Sequence, residues 1–283
     1  MSECARNRTT QRQFQLFRPT LLLLLSLVSA CSSTHTTNAS TPRRGISLER
    51  YSARRVALIL GNQAYAQTPL QNTRRDAAGV AITLRQLGFD VRQETDLTRR
   101  AMRIAIDDYV SKMHRGDISF FFYSGHGIQV RGENYLVPVD FAAQSEADVE
   151  DDGFRVGHIL EKLEETAPSV NIVVLDACRN NPFLPNKGLV RGLAGISTSG
   201  TGSLIAFATS PGKVADDGAP GGYGIYTASL LKYLNRPGIE LETMFRMVRE
   251  DVFNITAEKQ VPWTASSIVG TIVLSGTPRS ELP

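Results

Sequence analysis

The chain has 283 residues, enough for one domain of ordinary size and a tail. Its 31 basic residues exceed its 28 acidic ones, yet Arg6, Arg8, Arg12 and Arg18 face only Glu3 in the first thirty positions. The remainder is balanced and offers no basic field for nucleic acid. Three cysteines without a Cys-x-x-Cys pair, and scattered histidines, argue against a cysteine-held metal.

Residues 1–30 read as a secretory signal, with a long basic start and the apolar run Leu21–Val28, which is too short to span a bilayer. Val28-Ser29-Ala30-Cys31 resembles a bacterial lipoprotein cleavage site. Cleavage there would leave Cys31 as a lipidated N-terminus, several acyl chains anchoring the chain to the membrane. Ser32 in place of Asp favours the outer membrane, facing the periplasm, over inner-membrane retention. Residues 31–53, rich in Ser, Thr and Asn, form a tether. Residues 54–278 form the folded domain. With Cys4 removed and Cys31 acylated, Cys178 has no disulfide partner.

Within the domain, Val56–Gly61 predicts a buried strand. Ala77, Val80, Leu84 and Leu87 follow at helical spacing until Gly88. Phe89-Asp90-Val91 starts a second strand, and Met102, Ile106, Tyr109 and Met113 stripe a second helix. Ile118–Tyr123 is a third strand, and Gln129–Val139 a hairpin turning at Arg131–Asn134. The acidic run Glu146–Asp152 reads as a solvated loop. A helix over Val156–Leu163 precedes the apolar strand Val170–Leu175. The glycine-rich stretch 184–202 reads as a long loop, and Leu204–Ala208 as the fifth core strand. Helices follow near Tyr226–Leu234 and Leu241–Val252, with a last strand over Ile268–Leu274. Strands alternating with helices predict an α/β fold, its mostly parallel sheet covered on both faces. Ligands of such sheets bind at the carboxyl ends of the strands.

Two strand-like runs end in reactive groups, Ser124-Gly125-His126-Gly127 and Asp176-Ala177-Cys178-Arg179. A thiol is a weak nucleophile until an imidazole takes its proton. The amides of Gly127 and Cys178 are candidates for an oxyanion hole. A tyrosine-phosphatase reading needs arginine six residues after the cysteine, where Leu184 stands. A dinucleotide site needs more glycine than Gly61 alone supplies.

The histidine about fifty residues before the cysteine, and the residues flanking both, resemble the caspase superfamily. The resemblance is to bacterial caspase-like and metacaspase-type cysteine peptidases (clan CD, peptidase C14), over residues 54–275. It extends to Asn72-x-x-x-Asp76-Ala77, Ala208–Gly212 and Gln260–Trp263. It implies the caspase-hemoglobinase fold, with a six-stranded sheet, and an endopeptidase with a Cys178–His126 dyad. True caspases carry a Gln-Ala-Cys motif, replaced here by Asp176-Ala177-Cys178, and cleave after Asp. In metacaspases and paracaspases the equivalents of Asp76, Ser124 and Asp176 line an acidic pocket for Arg or Lys before the scissile bond. Asp176 and Ser124, each two positions before the dyad, share faces with it in a strand. Many metacaspases bind calcium. Asp140 and Asp151-Asp152 stand near where ligands would fall, but no acid occurs between Arg179 and Ala215, so the set is incomplete and no cofactor is required. Lys187 and Arg191, each before glycine, are candidate self-cleavage points. Two other readings stay open: a non-catalytic peptide-binding or scaffold lipoprotein of the envelope, and a small-molecule hydrolase using the same dyad.

Overall fold

A computed structural model describes residues 53–178 and 202–276. The signal, the tether up to residue 52, Cys31, Lys187 and Arg191 lie outside the described residues. In chain order the elements are β1 (Arg55–Gly61), α1 (Thr73–Gln86), β2 (Asp90–Thr95), α2 (Arg99–Ser111) and β3 (Ile118–Ser124). Then come β4 (Gly127–Val130), β5 (Glu133–Leu136), α3 (Glu146–Asp152), β6 (Phe154–Arg155), α4 (Val156–Glu165) and β7 (Val170–Asp176). In the second described segment follow β8 (Ser203–Phe207), α5 (Ile225–Leu234), α6 (Leu241–Ile255) and β9 (Trp263–Ser266).

The main sheet has six strands in the order β2-β1-β3-β7-β8-β9. Every pairing is parallel except that of β8 with β9. Successive side chains leave a strand on opposite faces, and the apolar runs obey this rule. Ala57, Ile59, Phe120, Phe122, Ile172 and Val174 pack against α1, α5 and α6. Leu58, Leu60, Phe121, Tyr123, Val173 and Leu175 pack against α2 and α4. Burying one such large side chain contributes about 1.5–3 kcal/mol. Because both faces are covered, the strands read as continuous apolar runs rather than alternating ones.

This parity positions the site. Ser124 and Asp176 continue the even-numbered series of Phe120, Phe122, Ile172 and Val174, so they project toward the α1 and α5 layer. Asp76 of α1 and Thr227 of α5 meet them there.

Two sequence expectations need correction. The run Glu146–Asp152 is helix α3, not a loop. Ser145 caps it reciprocally, its side chain accepting from the Asp148 N–H while Asp148 accepts from the Ser145 backbone. The last strand is β9, at Trp263–Ser266, rather than Ile268–Leu274. Gly270, with φ of +99°, breaks the latter stretch, whose ladder contribution is a single bridge from Val273 to Glu240. Ile272 and Leu274 are buried by packing without a strand.

Candidate active site

The β3–β7 register sets Ser124 opposite Asp176, and the Gly125 N–H donates to the Asp176 carbonyl at 3.2 Å. Both chains run on for two residues, so His126 and Cys178 emerge side by side at the carboxyl end of the sheet. A cavity of about 180 Å³ contains both. Gly127 has no room for a side chain, since a Cβ there would lie 2.6 Å from the Cys178 carbonyl oxygen.

His126 is held on several sides. Its backbone N–H donates to the Tyr65 hydroxyl at 3.0 Å, and its carbonyl accepts from the Tyr123 hydroxyl at 2.8 Å. The Tyr65 ring packs on the imidazole with centroids 4.3 Å apart. Nε2 lies 2.7 Å from the Thr68 carbonyl oxygen and 3.1 Å from Thr68 Oγ1. A carbonyl only accepts, so Nε2 carries a proton, and Nδ1 is the ring nitrogen left to act as a base.

Cys178 Sγ lies 3.9 Å from the Ala215 carbonyl oxygen. Hydrogen bonds among the described residues do not join Sγ to the imidazole. Burial pushes the thiol pKa up, with Asp176 and Asp217 adding to the rise and a backbone hydrogen bond from Ala215 opposing it. The resting thiol is therefore protonated near neutrality, and the arrangement calls for a base acting during attack rather than a preformed ion pair.

Below the dyad lies an acidic floor. Asp76 Oδ1 accepts from the Gly224 N–H at 2.9 Å, and its Oδ2 accepts from Ser124 Oγ at 3.0 Å. Asp176 Oδ2 accepts from Thr227 Oγ1 at 2.6 Å. A Cβ on Gly224 would stand 3.2 Å from Oδ2 of both aspartates, so the two carboxylates converge on one point. They are 1% and 7% exposed, and neither has an ion-pair partner among the described residues. Burial, then repulsion from Asp176, pushes Asp76 up to about 8. Burial likewise pushes Asp176 up to about 6. Burial and mutual repulsion disfavour the charged form of such a pair while no cation lies beside it.

All the described members of the sequence-predicted set, Asp76, Ser124, His126, Asp176 and Cys178, line this one cavity, and Gly127 abuts Cys178. The structure adds Asp217, whose carboxylate also lines the cavity and accepts from the N–H groups of Gln71 and Asn72 at 2.6 and 3.3 Å. Gln260 holds the segment bearing Asp217. Its Nε2 donates to the Ala208 carbonyl at 2.9 Å and its Oε1 accepts from the Asp216 N–H at 3.0 Å. Thr68, Tyr65 and Asp217 carry no periodicity that reveals them. The one hint is Pro69, which biases Thr68 away from helical backbone.

The acids considered for calcium do not gather. Asp140 accepts from the Arg99 N–H at 2.7 Å, and Asp151 and Asp152 close α3. Among the described residues no group of three or more His, Cys, Asp or Glu side chains is placed to hold a metal ion.

The profile of a family described as the caspase domain matches residues 54–272. Mucosa-associated lymphoid tissue lymphoma translocation protein 1 of Homo sapiens is 32% identical over 126 residues, which is 44% of this chain and 15% of that protein. Cell death protein 3 of Caenorhabditis remanei is 30% identical over 104 residues, 36% of this chain and 18% of that one. The alignments thus span less than a fifth of each relative's length.

Proposed function

The chain belongs to the caspase-domain family of cysteine peptidases, and from that premise we propose an endopeptidase that cleaves after Arg or Lys. The observation that carries the specificity is the pair of buried, uncompensated carboxylates, Asp76 and Asp176, beneath Cys178. An Arg or Lys side chain entering from above would supply their missing cation, and Asp217 adds a third acid at the wall. A charge-assisted pair of this kind is worth about 2–5 kcal/mol when one partner is removed. An Asp side chain would meet like charge.

In this reading, His126 Nδ1 takes the thiol proton as Sγ attacks the scissile carbonyl carbon. The carbonyl π-electrons move to oxygen, where the amides of Gly127 and Cys178 stabilise the charge. As the tetrahedral species collapses, the C–N bond breaks and the imidazolium gives its proton to the departing amine. Water, deprotonated by the same imidazole, then hydrolyses the thioester and restores the thiol. The Thr68 carbonyl holds the Nε2 proton throughout and stabilises the imidazolium. We propose also that Cys31 anchors the mature chain by lipid at the envelope, which mass spectrometry of its N-terminus tests.

The absence of an Sγ-to-imidazole bond at rest also suits a peptide-binding module that performs no chemistry. Peptides with Arg, Lys or Asp before the scissile bond, offered to the purified protein with and without calcium, separate the two. We expect Arg and Lys peptides to be cut, and both Cys178→Ala and His126→Ala to abolish cutting in a folded protein. Arg peptides that bind yet stay intact would establish the module instead, and preference for Asp would refute the acidic pocket.

A further inference from the structure

The acidic cavity accounts for one side of the dyad only. A second cavity, of about 510 Å³, opens beside it, and His126, Cys178 and Val214 line both. Tyr65, Ile128, Val137, Val139 and Phe141 form apolar walls, and among the described residues no Lys, Arg, Asp or Glu lines the cavity. Tyr65, Ile128 and Val137 are buried in a small apolar cluster, against which Val139 and Phe141 pack. The backbone of this wall is fixed, with the Val137 N–H donating to the His126 carbonyl at 3.1 Å and the Val139 N–H to the Leu97 carbonyl at 3.0 Å. Thr68, which holds the imidazole, also lines it.

We infer that this cavity receives the substrate on the C-terminal side of the scissile bond and selects a large aliphatic or aromatic residue directly after the cleaved Arg or Lys. The inference rests on the peptidase reading. The basic side chain must enter the cavity that holds the carboxylates. The amine leaves on the side from which the imidazole protonates it, and the second cavity is the other space that His126 and Cys178 line. Clefts of roughly 300–1,000 Å³ accommodate a drug-sized ligand, so there is room for more than one side chain. A charged residue there would be desolvated without a partner. One substrate thus meets two opposite demands: a cation before the bond, and an apolar group after it.

The test uses the full chain and internally quenched peptides alike except for the residue after Arg, which is Leu, Phe, Gly, Asp or Lys. In an apolar pocket one methylene already shifts discrimination by about tenfold or more. Leu and Phe peptides should exceed the Gly peptide in kcat/KM by at least roughly tenfold on that basis, with Asp and Lys peptides at or below Gly. Arg peptides cleaved with a flat profile, or with Gly preferred, would overturn the inference and leave the peptidase reading intact. A binding series independent of turnover runs in parallel, by fluorescence anisotropy on the full chain carrying Cys178→Ala. The Leu peptide should bind several-fold tighter than the Gly peptide. Phe141→Ala should erase the difference and Phe141→Leu should keep it. If the unaltered protein cuts nothing, the peptidase reading fails, and equal binding of Leu and Gly peptides then overturns the apolar subsite on its own.

Discussion

Asp76 accepts two hydrogen bonds, from Gly224 and Ser124, yet it faces a second carboxylate and no cation among the described residues. The folded protein raises its pKa to about 8, from an unfolded value of about 3.9. Between those limits the folded state binds more protons than the unfolded state, so this residue's contribution falls as pH rises. Asn in its place keeps one acceptor for Gly224, can donate to Ser124 Oγ, and does not ionise. Asp76→Asn should therefore raise the melting temperature at pH 8, and the gain should vanish toward pH 4. A substitution that relieves a strained functional site commonly gains about 0.5–2 kcal/mol. At about 2–4 °C per kcal/mol for a domain of this size, calorimetry at both pH values resolves the difference. The same substitution should lower kcat/KM for Arg peptides by roughly a hundredfold, as loss of a desolvated charge pair requires. A variant that is both less stable and equally active would mean that Asp76 is only structural.

At the scale of elements, the segment from Ala208 to Asp217 runs from the end of β8 along the mouth of the acidic cavity, and Gln260 clamps it at both ends. Gln260 is 2% exposed, so truncation strands the buried Ala208 carbonyl away from water and frees the Asp216 N–H. Gln260→Ala should cost about 1–3 kcal/mol. It should also raise KM for Arg peptides more than it lowers kcat, because it loosens a wall rather than the dyad. Gln260→Glu keeps the acceptor for Asp216 but loses the donor for Ala208, so it should recover only part of the KM. An equal loss in kcat would place the clamp in the chemistry itself.

These contacts also mark where sequence reading stops. His126, Cys178, Ser124 and Asp176 were legible because each ends or follows a buried apolar run, and strand parity assigns their faces. Asp76 was legible through the resemblance, in Asn72-x-x-x-Asp76-Ala77, and not from its place in the helix. Gln260 was visible only as part of a familiar segment without a role, Thr68 only as the residue before Pro69, and Asp217 not at all. Loop residues act through backbone paths that no period of 2 or 3.6 encodes. The misplaced last strand has the same origin: Ile272 and Leu274 supply apolar burial, which periodicity detects, but Gly270 denies them a ladder.

For the whole molecule, the connection between β7 and β8 contains Lys187-Gly188 and Arg191-Gly192, outside the described residues. A peptidase selective for basic residues has two potential cleavage points in its own chain there. The halves on either side share a parallel ladder from Asn171–Ser203 to Leu175–Phe207 and one apolar core. A cut in the connection should thus leave the domain assembled, with little change in melting temperature. On the proposed specificities the acidic cavity would favour both points but the apolar cavity would not, since each basic residue is followed by glycine. Self-cleavage should therefore be slow and incomplete. On incubation, new N-termini at Gly188 or Gly192 should accumulate in the unaltered protein and be absent with Cys178→Ala. Gly192→Leu should speed the cut after Arg191 by at least roughly tenfold, as apolar-pocket discrimination implies. Fragments appearing equally with Cys178→Ala would identify a contaminating protease. A sample that cleaves Arg peptides but leaves its own chain whole, with Gly192→Leu as well, would show that the connection never reaches the site.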